Sequence, residues 1–211
     1  MKAAPEVIRL QWQHYSHVAG VLERAFLDYT LMTYCVPEAK RRTLAVKSLY
    51  SAALRYSLRY GRVYSTPDLD GAACWLPPDS PFPTFLRMVR CGMLALPFRF
   101  GGPGFKRLQA ADKVAEHLHH AHAPGPHWYL WVIGVDPARQ SMGIAGRLMR
   151  PVFEEADRER YRCYLETHKE SNVRTYERYG FRVVSQTPVP KHALTVWAML
   201  RSAGAMPVVV S

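Results

Sequence analysis

Trp128-Tyr129-Leu130-Trp131-Val132-Ile133-Gly134-Val135, running into Asp136-Pro137-Ala138-Arg139-Gln140-Ser141-Met142-Gly143-Ile144-Ala145-Gly146, decides the fold of this chain. The first run is too short to span a membrane and too uniformly apolar for a surface strand, so it reads as a central strand covered on both faces. Pro137 ends the ladder. From Met142 onward Ile144, Leu148, Val152 and Phe153 recur near helical spacing, with Arg147, Arg150, Glu154, Glu155 and Asp157 on the other face. The strand therefore turns directly into a helix, whose first N–H groups have no intrahelical acceptors. Gly143, Ala145 and Gly146 are small enough to let a phosphate oxygen approach, and Arg139 and Arg147 add positive charge. A Gly-rich turn that merely packs tightly would use the same residues, so the downstream sequence has to discriminate.

Downstream lie a second strand from Arg162 to Thr167, a short helix, and Tyr179-Gly180-Phe181. The order strand, Gln-x-x-Gly-x-Ala, helix, strand, short helix, Tyr-Gly-Phe resembles the GNAT superfamily of acyl-CoA-dependent N-acetyltransferases. Gln140, Gly143 and Ala145 match the cofactor motif of that superfamily, and the likeness continues through Leu165-Glu166-Thr167, Asn172 and Tyr176 to Phe181. Upstream, Ala25-Phe26-Leu27-Asp28-Tyr29 and Cys74-Trp75-Leu76-Pro77-Pro78 look like the branch that includes puromycin acetyltransferase, as does the step from Asn172 to Tyr176. Ser141 and Met142 stand where many relatives carry glycine and a basic residue, which removes one phosphate cation and leaves the backbone N–H groups.

The resemblance implies an α/β GNAT fold with a mixed, mostly antiparallel sheet of about seven strands, splayed central strands and flanking helices. It implies acetyl-CoA as cosubstrate, with the pantetheine arm along Ile133, Gly134 and Val135 and against Asn172. The phosphates would sit on Arg139, Gln140, Ser141, Met142, Gly143, Ile144, Ala145 and Gly146. Gly134, lacking a side chain in a buried strand, suits a bulge or a close backbone approach.

Asn172, Thr175, Tyr176 and Tyr179 share one helix face, so Tyr176 is the candidate acid for the departing thiolate. A primary amine of pKa about 10 is only about one part in a thousand neutral at pH 7, so a base is needed. Glu166, near the end of the second central strand, is that candidate, set against a structural acceptor role. Asp28, Tyr29 and Trp75 are acceptor contacts by resemblance.

The 211 residues, 48% of them apolar, suffice for one domain over 1–211, with an acceptor-side half about 1–126, a cofactor core about 127–184 and a last strand and tail over 185–211. Cys35, Cys74, Cys91 and Cys163 lack C-x-x-C spacing, and no charged-then-apolar leader precedes them, which points to reduced thiols in the cytoplasm. No apolar run approaches the roughly 18 residues of a membrane span. The histidines His117, His119, His120, His122 and His127 are poorly spaced for a metal set and read as surface and loop residues.

The net charge is +11, with twelve Lys or Arg against four acidic residues between Glu38 and Arg107. That field disfavours a polyamine substrate. It also admits a nucleic-acid-binding reading, although no helix-turn-helix, zinc or RNP pattern accompanies the charge. The leading expectation is acetyl transfer to the amine of a small molecule in a ternary complex, by a monomer or homodimer. A peptide amine acceptor and a non-catalytic acyl-CoA sensor are the alternatives. Elsewhere, strands are expected near Glu6–Leu10, Val63–Thr66, Ala72–Leu76 and Leu194–Leu200. Helices are expected around Val18–Phe26, Lys40–Tyr60, Phe85–Leu94 and Lys106–His120, and a kink at Pro151. The stretch from Arg201 to Ser211 reads as a loosely held tail.

Overall fold

Side chains alternate across two central strands, β3 (Gly71–Leu76) and β4 (His127–Val135), and the alternation sorts them into two cores. Ala72, Cys74, Leu76, Tyr129 and Val132 belong to one, while Ala73, Trp75, Trp128 and Leu130 belong to the other. Strands covered on both faces show this near-continuous apolar sequence because neither face meets water. The computed structural model describes residues 6–190 and 193–205.

The first core lies between the sheet and α1 (Tyr15–Phe26), α2 (Thr30–Cys35), α3 (Ala39–Tyr60) and α5 (Leu96–His122). The second lies under α6 (Ile144–Glu159) and α7 (Glu170–Glu177), centred on Leu148, Val152 and Phe181. The remaining elements are β1 (Ile8–Arg9), β2 (Arg62–Ser65), α4 (Phe85–Arg90), β5 (Arg162–Thr167), β6 (Arg182–Pro188) and β7 (Thr195–Arg201).

These form a seven-stranded sheet of order β1-β2-β3-β4-β5-β7-β6. Every pairing is antiparallel except β4 with β5. The parallel pairing runs only from His127 opposite Arg162 to Tyr129 opposite Tyr164. Beyond it the two strands part, so the α/β architecture with splayed central strands expected from the sequence is present.

Three local expectations are revised. The helix expected from Lys106 begins earlier, at Leu96, and runs to His122 through a kink where Gly101 adopts φ 69° and ψ 162°. The expected helix over Phe85–Leu94 ends at Arg90, and Met93–Ala95 forms a separate 3-10 turn. The bulge in β4 is at Trp131, not Gly134: Cys74 pairs with Val132 and Trp75 with Leu130, leaving Trp131 extra. Gly134 instead serves close approach, since a Cβ there would lie 2.8 Å from Leu22 and 2.9 Å from Phe26 of α1.

Pro151 lies inside α6 without ending it. At the far end of β7, buried Arg201 donates two hydrogen bonds to Asp157 of α6, at 2.6 and 2.8 Å, and a third to the Tyr179 carbonyl at 3.2 Å. This clamp fixes the chain just after α7. The part of the expected tail beyond residue 205 lies outside the described residues.

Candidate active site

Where β4 and β5 separate, a cleft of about 1440 Å³ opens between them, bordered by α1, α5, α7 and the loop before α6. Backbone positions Ile133, Gly134 and Val135 line one side, and Glu166, Thr167 and His168 the other.

The loop from Asp136 to Gly143 carries the strand into α6. Asp136 accepts a hydrogen bond from Ala138 N–H at 3.1 Å, and the Gln140 amide donates to the Val135 carbonyl at 3.1 Å, folding the loop back on its own strand. Ser141 and Gly143 have φ of 64° and 72°. That left-handed region suits Gly143, and a Cβ built there would meet nothing within 4 Å. The space above the helix start is therefore open, as an anion cradle requires. Arg139, Gln140, Ser141, Gly143, Ile144 and Ala145 border the cleft.

Gly146 and Met142 do not take the places expected of them. A Cβ on Gly146 would lie 2.5 Å from the Tyr179 hydroxyl, so its smallness seats the Tyr179 ring against α6 instead of admitting a phosphate. Met142 points to solvent, away from the cleft. The arginine charge is partly engaged: Arg139 pairs with Asp70 at 3.2 Å and Arg24 with Asp136 at 2.6 Å.

At the end of β5, Thr167 gathers a small polar cluster. Asn172 donates its amide N–H to Thr167 Oγ1 at 3.3 Å, Tyr29 Oη lies 3.2 Å from the same atom, and His168 N–H donates to Tyr29 Oη at 2.9 Å. Tyr176, one turn beyond Asn172, lines the cleft with its ring 5.9 Å from Phe181 in an edge-on contact. Burial pushes its hydroxyl well above the ordinary phenol value, so it is a neutral proton carrier.

Glu166 is the buried carboxyl of the cleft, its side chain only 6% exposed. Its Oε2 accepts a hydrogen bond from the Tyr129 hydroxyl at 2.7 Å, and Oε1 lies 3.9 Å from His119 Nδ1. Burial pushes the carboxyl up to about 8, against the opposing pull of the Tyr129 hydrogen bond, and the charge of Asp112 adds to the rise. Asp112 lines the cleft and is exposed to its solvent, with protein crowded around it. That enclosure, with Glu116 nearby, pushes it up to about 7.

The three acceptor residues expected from the sequence separate. Tyr29 lines the cleft. Asp28 sits at its rim, largely exposed and paired with Arg42 at 3.0 Å. Trp75 is a correction: fully buried in the core under α6, edge-on to Trp128 and Phe153, it points away from the cleft. Alternation along β3 sends it to the opposite face from Cys74. Phe98 is exposed and Phe100 buried, and neither lines the cleft.

Sequence reasoning missed His119 and His127. Both are buried, against the surface placement expected of them, and their Nε2 atoms are 2.7 Å apart. Asp112, Glu116 and His119 at i, i+4 and i+7 form a polar stripe on α5, which was the available signal. Among the described residues no group of three or more His, Cys, Asp or Glu could hold a metal ion.

Residues 103–181, from within α5 to the start of β6, match the acetyltransferase (GNAT) family model. Over that segment, less than half of the chain, the sequence is similar to the acetyltransferase (GNAT) family. An uncharacterized N-acetyltransferase of Schizosaccharomyces pombe is 26% identical over 186 residues, covering 82% of this chain and 72% of its own. Among solved structures, the histone acetyltransferase HPA2 and related acetyltransferase of Corynebacterium glutamicum superposes with a TM-score of 0.64 at 16% identity, over 99% of both chains. Arylalkylamine N-acetyltransferase 2 of Aedes aegypti superposes with a TM-score of 0.61 at 14% identity, over 93% of this chain and 98% of its own. The enzyme is an acyltransferase of the GNAT fold, and these likenesses do not confirm the puromycin branch.

Proposed function

We propose that this GNAT enzyme transfers the acetyl group of acetyl-CoA to the amine of a small molecule by direct attack in a ternary complex. The observation that supports this most is the convergence of Glu166 and Tyr176 on one cleft, opened by the parting of β4 and β5. Bound acetyl-CoA supplies the acyl group already activated as a thioester.

The open helix start at Gly143 and the extended backbone of Ile133, Gly134 and Val135 hold the cosubstrate, and Asn172 orients it from α7. Glu166 takes the proton of the acceptor's ammonium, and Tyr176 delivers a proton to the sulfur. A base works best when its pKa lies near the working pH, and about 8 leaves Glu166 able both to take the proton and to release it. The family relation to the fission yeast N-acetyltransferase and the fold likeness to an arylalkylamine N-acetyltransferase fit an amine acceptor.

The acceptor end of the cleft is walled by Phe26, Tyr50, Phe82, Leu108 and Trp131, with Asp112 and Glu116 among them. An amine with an apolar body suits such a wall: rings bury its hydrocarbon and the carboxyls favour its positive charge.

Calorimetric titration with acetyl-CoA, using desulfo-CoA and ATP as controls, is the first test. Saturable acetyl-CoA binding is expected, followed by thiol release with apolar primary amines. Absent binding by folded protein rejects the assignment. Turnover confined to peptide amines transfers the acceptor to the protein class.

A further inference from the structure

The buried histidine pair behind Glu166 has a definite polarity. The Gly125 carbonyl oxygen can only accept, and His127 Nδ1 lies 2.8 Å from it, so Nδ1 carries the hydrogen of His127. Burial lowers the pKa of His127, and of His119 to about 3, so both rings are neutral at physiological pH. With its hydrogen on Nδ1, neutral His127 presents a bare Nε2. The Nε2 of His119, 2.7 Å away, must then be the donor. That leaves His119 Nδ1 as a lone pair, aimed at Glu166 Oε1 from 3.9 Å. Because Oε2 already accepts from Tyr129, Oε1 is the favoured seat for a proton on Glu166, facing that lone pair.

We propose that His119 is a positioning residue for Glu166: its tautomer, locked through His127 to the Gly125 carbonyl, makes it a hydrogen-bond acceptor that favours the protonated form of the carboxyl. At 3.9 Å a carboxylate oxygen and a bare nitrogen keep the separation of two lone pairs. Protonation of Oε1 gives the pair a hydrogen to share, and the contact closes by about 1 Å to ordinary hydrogen-bond length. Stabilising the neutral acid in this way raises its affinity for the proton of an incoming ammonium.

The other titratable neighbours act differently. Tyr129 from β4 donates to Oε2, the Tyr164 hydroxyl of β5 likewise stabilises the ionised carboxyl, Tyr29 after α1 lies within electrostatic reach, and Asp112 of α5 adds repulsion. His127 itself faces Arg162, which further disfavours its protonation. Stacking of His119 on Tyr164, with rings 4.5 Å apart and 14° from parallel, holds the imidazole plane in place.

The inference rests on the proposed role of Glu166 only for its effect on rate, so it is tested without turnover. In protein carrying 15N-histidine, His119 is expected to show a bare Nδ1 and a protonated Nε2 throughout pH 6 to 9. A hydrogen on His119 Nδ1 overturns the proposal, whatever Glu166 does in catalysis. In 13C-glutamate protein, with the Glu166 carboxyl signal assigned through Glu166→Gln, the His127→Phe variant is expected to titrate about one unit lower than the native enzyme. Without the His127 acceptor, His119 can move its hydrogen to Nδ1 and donate to the carboxylate. His127→Gln restores an acceptor oxygen and is expected to restore the native midpoint. An unchanged midpoint in folded His127→Phe overturns the proposal, and a variant that fails to fold leaves the native 15N measurement to decide. Where Glu166 is the base, the acid limb of kcat moves with the carboxyl midpoint, about a tenfold change in carboxylate at pH values below both midpoints.

Discussion

Tyr176 and Glu166 face one cleft in opposite chemical readiness. The buried phenol holds its proton more firmly than a free tyrosine, whereas the buried carboxyl changes state near pH 8. In the proposed mechanism a donor that stays protonated until a thiolate forms beside it acts only as charge develops, so its contribution would belong to the transition state and not to binding. Tyr176→Phe is accordingly expected to lower kcat by about 10- to 100-fold at saturating substrates while acetyl-CoA affinity, read by calorimetry, stays within about twofold. An unchanged kcat removes Tyr176 from the mechanism. The substitution should be structurally mild, because the ring contact with Phe181 is kept.

The start of α6 divides its glycines between two tasks. Gly143 turns the chain at positive φ beside open space, and Gly146, one turn in, receives the Tyr179 ring. A carboxylate at position 143 would occupy the anion cradle and oppose the positive end of the helix. Gly143→Glu is therefore expected to abolish measurable acetyl-CoA binding in protein whose circular dichroism is native, with a stability cost on the order of 1 kcal/mol for the positive φ. Retained affinity would put the phosphates elsewhere. In the proposed cradle the contacts are backbone and Met142 faces solvent, so Ser141 and Met142 leave it intact.

Over the whole molecule the charge is +11, but the cleft lining balances four cations, Arg24, Arg139, Lys169 and Arg178, with four carboxyl groups, Asp28, Asp112, Glu116 and Glu166. The field argument against cationic substrates therefore does not carry into the pocket.

The buried titratable groups set a pH optimum of stability. His119, His127 and His168 have pKa values lowered from 6.5, the first to about 3 and the last to about 4. The unfolded chain binds protons there that the native state refuses, and stability falls as pH drops below 6.5. Glu166, raised from 4.5 to about 8, acts oppositely: its contribution is full below its unfolded value and is lost as pH rises through the folded one, and Asp112, raised to about 7 but open to the solvent of the cleft, adds a smaller share in the same direction. In the acid range the carboxyls offset part of the histidine loss, and above 6.5 only the carboxyls act. Calorimetric unfolding of the ligand-free enzyme is expected to show a crest near pH 6.5 with a gentler acid side. Glu166→Gln should flatten the alkaline side, gaining on the order of 2 kcal/mol relative to the native enzyme at pH 8.5. An alkaline decline unaltered in that variant would show that Glu166 ionises as freely in the native state as in the unfolded one.

Local periodicity and short spacing made several features legible in the sequence: the buried run Trp128–Val135, the turn into α6, the two strands that become β2 and β3, and Tyr176 one turn from Asn172. Those features are written within a few residues of one another, where helix and strand periods, glycine and proline act directly. Only the tertiary structure decided which face of a strand meets the cleft. Trp75 went to the core because an odd-numbered position on β3 points under α6, and a one-residue shift in phase would have reversed it. Only the tertiary structure, too, brought His119 and His127 against Glu166, because that contact joins α5, β4 and β5. Bulk charge could not reveal the charge balance of the cleft for the same physical reason: potential follows distance and enclosure, and both are set when the chain closes on itself.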